Sequence, residues 1–90
     1  MIVKKILYSK TFAKEFKKLP LLVQEMAVKT EEIFKSNPLH PSLRLHQLKG
    51  SLKGLWSVSI TLNYRIIFER MENGDIIFIS IGKHDIYRNL

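Results

Sequence analysis

Arg65, His84, Tyr87 and His46, with lysines 49, 53 and 83, are the side chains of this 90-residue chain best suited to chemistry. A guanidinium presents a flat fork of donors that matches two phosphate oxygens, and it stays charged at any relevant pH. Arg65 stands one residue after Tyr64, at the start of an expected strand. The structural alternative for it is an edge arginine paired with Glu69 or Glu72. An imidazole titrates near pH ~6.5, so it can both take and give a proton at neutrality. His84 lies in Gly82-Lys83-His84-Asp85, immediately after the most apolar stretch of the chain. His46 lies on the polar side of an alternating segment and is a second proton-transfer candidate. Tyr87 can stack on a base or donate to a phosphate. Lys49 and Lys53 flank a glycine turn, Lys83 adjoins His84, and all three suit backbone phosphates. Together these types point to a phosphodiester handled without a metal. His40, His46 and His84 lack the paired spacing of a zinc site, and there is no cysteine. The phosphate-loop and Gly-x-Ser-x-Gly patterns are also missing, so no cofactor is expected.

These residues need a scaffold, and the hydropathy pattern supplies one. Residues 2–8 (IVKKILY) are β-branched and aromatic and read as a strand. Ser9 and Thr11 are candidate caps for a helix in which Phe12, Phe16 and Leu19 recur at helical spacing. Pro20 ends that helix and suits the start of the next, whose stripe is Val23, Met26, Thr30, Ile33 and Phe34. Pro38 and Pro41 forbid helix beyond it. Residues 43–48 alternate as a strand, with Leu43 and Leu45 on one face and His46 and Leu48 on the other. Gly50 and Gly54 bracket a basic turn. Trp56, Val58 and Ile60 then point inward, with Ser57, Ser59 and Thr61 toward solvent. Tyr64–Arg70 is a further strand, Asn73-Gly74 signals a hairpin, and Ile76–Ile81 reads as a covered central strand. The order β-α-α-β-β-β-β predicts one α+β domain over residues 1–90, two antiparallel helices on one face of a mostly antiparallel sheet.

Composition sets the class of partner. At 46% hydrophobic and 26% charged residues the chain is ordinary globular protein. It carries 15 Lys+Arg against 8 Asp+Glu, a formal +7. The surplus lies in residues 1–54, which hold 11 basic and 4 acidic side chains. Such a domain attracts polyanions, nucleic acid first. No stretch approaches the length of a membrane span, and the N-terminus lacks a signal-peptide pattern. The lack of cysteine fits a reducing, cytoplasmic setting.

Three strings carry a family resemblance: Leu48-Lys49-Gly50-Ser51-Leu52-Lys53-Gly54-Leu55-Trp56-Ser57-Val58, Tyr64-Arg65-Ile66-Ile67-Phe68 and Ile81-Gly82-Lys83-His84-Asp85-Ile86-Tyr87. With the helix end from Phe12 to Pro20, they resemble the RelE/ParE superfamily of toxins from type II toxin–antitoxin systems over nearly the whole chain. The resemblance implies two N-terminal helices on a curved antiparallel sheet. It implies a cognate antitoxin, acidic and partly disordered, that wraps the toxin. The free toxin is then expected to be a monomer and the complex a hetero-oligomer. For the RelE-like and YafQ-like branches the resemblance implies a metal-independent endoribonuclease acting on mRNA, commonly on the ribosome. For the ParE-like branch it implies DNA gyrase inhibition, and an inactive antitoxin-binding module is a further alternative. In the nuclease branches Arg65 falls at a phosphate-stabilising position, His84 at a proton-transfer position and Tyr87 at a functional C-terminal tyrosine. His46 corresponds to a histidine of the YafQ-like group. The chain departs from that group at Ser59 and Asn63, where a His and an Asp would stand, so His84 is left as the principal proton carrier.

Overall fold

The computed structural model describes residues 1–90, except for the side chain of Asn89. Its elements run β1 (Ile6–Tyr8), α1 (Lys10–Lys17), α2 (Leu21–Ser36), β2 (His46–Gln47), β3 (Leu55–Ser59), β4 (Arg65–Arg70) and β5 (Ile76–Gly82). Short 3₁₀ turns occupy Pro41–Leu43, Gly50–Leu52 and His84–Asn89. The sheet order is β1-β5-β4-β3-β2, antiparallel except for the parallel pair β1 and β5. The expected order of elements and the two-helix, one-sheet layering are both found.

One hydroxyl joins helix to sheet at the start of the chain. Ser9 Oγ accepts from the Phe12 amide at 3.0 Å, capping α1, and donates to the Ile79 carbonyl at 2.7 Å on β5. Glu15 fixes the same helix farther along. Its carboxylate accepts from Ser80 Oγ at 2.6 Å and from the Ile81 amide at 3.1 Å. On the helix-covered face Phe12, Ala27 and Phe34 meet Val58, Ile66, Phe68, Ile76, Phe78 and Ile81. Phe34 is fully buried, its ring centroid 4.9 Å from that of Phe68 and 5.9 Å from that of Phe78.

Three local expectations change. Pairing in the first strand covers only Ile6–Tyr8, and the stem of Lys4 lies over Gly74. The strand expected over 43–48 shrinks to His46–Gln47. Pro41 favours a 3₁₀ turn, His40 caps it through Nδ1, which accepts from the Ser42 amide at 3.1 Å, and Arg44 closes it at φ 47°. The facing pattern survives: Leu43 and Leu45 join the helix-side core, and Leu48 joins the opposite face. The Asn-Gly signal does produce a hairpin, with a three-residue loop of Glu72, Asn73 and Gly74. The Met71 amide donates to the Asp75 carbonyl at 2.8 Å and the Gly74 amide to the Met71 carbonyl at 3.0 Å. Gly74 alone takes positive φ in that loop, at 94°, the arrangement of a type I turn followed by a bulge.

The third change concerns the face away from the helices. Ser57 and Ser59 are buried there, not solvent-facing as the alternation suggested. Leu48, Leu52, Ile86 and Tyr87 gather over Ile67 and Leu55 and make a second, smaller apolar cluster. The 3₁₀ turns at Gly50–Leu52 and His84–Asn89 carry most of that cover.

Candidate functional site

The register of the sheet brings most of the chemically suited residues to this second face. Two cross-strand rows define it. One runs His46, Ser57, Ile67, Ser80; the next runs Ser59, Arg65, Gly82. Residues directly opposite in an antiparallel pair share a face, and alternation along each strand keeps 57 with 59, 67 with 65 and 80 with 82. Arg65 therefore projects from the middle of its row, between Ser59 and Gly82.

The guanidinium is partly buried and only partly partnered. Nη1 donates to Ser59 Oγ at 3.3 Å. Nε is buried with no partner among the described residues, and so is Ser57 Oγ on the neighbouring row. A buried donor left without an acceptor costs about 1–3 kcal/mol and calls for an explanation. Pairing with Glu69 does not supply one. Glu69 stands opposite Leu55, four residues along the strand from Arg65 and about 13 Å away by strand rise.

The chain that leaves β5 places the next candidates. Gly82 is the cross-strand partner of Arg65, and His84 follows two residues later. Strand spacing and chain reach together hold the two Cα atoms of Arg65 and His84 within about 13 Å. His84 and Tyr87 lie on one 3₁₀ turn, ring centroids 6.0 Å apart and tilted by 39°. Lys83 sets its ammonium 5.6 Å from the centroid of the Tyr64 ring, beside Arg65 in sequence. Lys49 and Lys53 are exposed at the two ends of the turn Gly50–Leu52, whose Leu52 packs on this face. His46 is exposed on the outer strand β2. Two strands and one row separate it from Arg65, about 12 Å between Cα atoms. His40, by contrast, serves as a turn cap.

Two cavities lie on the helix side of the sheet. A cavity of about 320 Å³ opens between α1, α2 and the sheet, lined by Tyr8, Phe12, Phe16, Ala27, Val28 and Phe78 among others. A second, of about 180 Å³, lies between α2, the turn Pro41–Leu43 and the end of β3. Lys49, Lys53 and Lys83 are exposed around the Arg65 face.

Comparison with solved structures gives whole-chain matches. A YoeB/ParE toxin from Agrobacterium tumefaciens superposes with a TM-score of 0.74 at 18% identity, over 90% of this chain and 99% of that one. YafQ from E. coli gives 0.73 at 21% identity, over 93% and 97%. The fold is that of the YoeB, YafQ and RelE toxins. The RelBE2 toxin–antitoxin complex of Mycobacterium tuberculosis extends the set, at 0.74 and 16% identity over 89% and 96%. No protein-family model and no curated protein sequence matches the chain. The sequence had put Ser57 and Ser59 with Arg65 on the less apolar sheet face, as a place for a ligand, but as solvent-facing residues, whereas both are buried. It gave Gly82 no role of its own, because a glycine before Lys83 does not report what packs against it.

Proposed function

We propose that this chain is the toxin of a toxin–antitoxin pair and that it cuts mRNA at the Arg65 face. One observation carries the reading: Arg65, with a buried unpartnered Nε, lies opposite Gly82 and hence beside the turn bearing His84. The outer Nη donors of the Arg65 guanidinium suit phosphate oxygens, and the His84 imidazole, on the turn that follows Gly82, is the group that moves a proton.

The reaction needs no nucleophile from the protein. The RNA 2′-hydroxyl attacks its adjacent phosphorus, forming the O2′–P bond as the P–O5′ bond breaks. Arg65, with Lys83 or Lys49, holds the charge that develops on the phosphorane oxygens. His84 gives a proton to the departing O5′, and His46 or solvent takes the 2′ proton. The products are a 2′,3′-cyclic phosphate and a 5′-hydroxyl. Tyr87 stacks on the nucleotide or donates to its phosphate. Part of the alignment comes from a substrate held by a larger assembly, the ribosome-bound message.

The partner that neutralises the toxin is an acidic antitoxin peptide. The exposed lysines 10, 14, 17 and 18 on and just after α1 offer it charge, and the cavity between the two helices takes its apolar side chains. To test the nuclease reading, the chain is induced in bacteria and mRNA 5′ ends are mapped beside His84→Ala and Arg65→Ala. The wild type is expected to arrest growth with new ends inside coding regions, and both variants are expected to lose them. Growth arrest with intact mRNA overturns the reading and favours gyrase as target.

A further inference from the structure

Gly82 and Ile86 have no place in the chemistry above, yet they meet at its centre. Gly82 is buried at the end of β5, directly across from Arg65. A Cβ built at Gly82 would stand 2.6 Å from Ile86 Cγ2, a separation at which something must move. That carbon is not the free end of a flexible chain. It is bonded to the Ile86 Cβ, and Ile86 is 4% exposed, packed with Leu48 and Ile67. Rotating it away breaks that packing; otherwise the backbone of the turn must shift.

We infer that Gly82 and Ile86 form a latch that positions the catalytic turn. The missing side chain at Gly82 lets Ile86 seat directly on the end of β5. Ile86 sits between His84 and Tyr87 on the turn His84–Asn89, so its seat sets how far both rings stand from Arg65. The two residues touch no substrate; they act through His84 and Tyr87. The inference rests on the nuclease reading for its kinetic consequence but not for its structural one.

The test uses Gly82→Ala, Ile86→Ala, Ile86→Val and the double variant Gly82→Ala/Ile86→Ala in the full chain. Valine keeps both γ carbons and so keeps the seat; alanine removes them. NMR of the His84 imidazole and the Tyr87 ring reads the position of the turn without any substrate. Gly82→Ala and Ile86→Ala are expected to shift both rings, and Ile86→Val to leave them as in the wild type. Cleavage of ribosome-bound mRNA is expected to fall about 10- to 100-fold in kcat with KM nearly unchanged, as for a displaced catalytic group. The double variant should fall short of the summed effects of the two single variants, because the contact needs both side chains while the backbone cost of a side chain at Gly82 (φ 159°) remains. Unmoved His84 and Tyr87 signals in Gly82→Ala, or equal effects of Val and Ala at Ile86, overturn the latch. If Gly82→Ala does not fold, the comparison of Val with Ala at Ile86 decides. A wild type that cuts no RNA defeats the nuclease reading while the NMR still judges the latch.

Discussion

Arg65, the proposed phosphate-binding group, sits at odds with stability. Its guanidinium is half withdrawn from water, makes one long bond to Ser59 and leaves Nε without an acceptor. Folding gains little from such a group, and an apolar replacement of similar length removes the unmet donor. Arg65→Met should therefore melt at or above the wild-type temperature while losing RNA cleavage by about 10²–10³-fold. A loss of several degrees in the same thermal scan would mean that Arg65 is a structural residue. Arg65→Lys keeps the charge without the fork and should recover only part of the rate. Tyr8 makes a second residue-scale case. Partial burial, helped by its hydrogen bond to Glu31 and by the Glu31 charge, pushes its phenol up from 10.0 to about 12. The fold thus favours the protonated phenol. Its contribution is complete below pH 10 and is lost as pH rises toward about 12. Ultraviolet titration should show a tyrosine ionising near pH 12, and Tyr8→Phe should abolish that step. The types and positions of Arg65, His84 and Tyr87 were legible in the sequence because guanidinium and imidazole chemistry is local. The burial of Ser57 and Ser59 was not, since the cover comes from residues 48–52 and 84–87, which alternation along β3 cannot report.

At the scale of elements, the join between α1 and β5 matters most for holding the site's strand in place. Ser9 uses one oxygen to cap α1 and to meet the Ile79 carbonyl. Ser9→Ala breaks both links and should cost about 1–2 kcal/mol, the range for a lost N-cap. For a domain of this size that corresponds to a fall of roughly 4–8 °C per kcal/mol in Tm. A melt unchanged within a degree would show that Glu15, through Ser80 and Ile81, anchors the helix alone. The helices were readable from Ser9, the aromatic stripe and Pro20, since caps and 3.6-residue periodicity are written within a few residues. The sheet order was not, because pairing β1 with β5 joins residues some seventy positions apart. Residues 43–48 misled for a narrower reason. Leucine alternation mimics a strand, whereas Pro41 and the left-handed Arg44 impose a turn on the backbone.

The whole molecule presents a +7 charge, with Lys49, Lys53 and Lys83 exposed around the Arg65 face. If Lys49, Lys53, Lys83 and Arg65 each meet one phosphate, RNA binding should weaken with salt at a slope of about −3 in log K against log salt. Lys49→Ala should make that slope shallower by about 0.7 without altering the cleavage site. A slope near zero would place RNA elsewhere. The central claim is that Arg65 and His84 act on one ribose–phosphate link, the first on phosphate oxygens and the second on the leaving oxygen. It is tested most directly with a message carrying sulfur in place of the bridging O5′ at the cleaved position. A thiolate departs without needing a proton, so the general acid becomes dispensable. His84→Ala should cleave the sulfur message at close to the wild-type rate, yet lose about 10²–10⁴-fold on the oxygen message. Arg65→Ala should be impaired on both. Equal impairment of His84→Ala on the two messages would contradict the account.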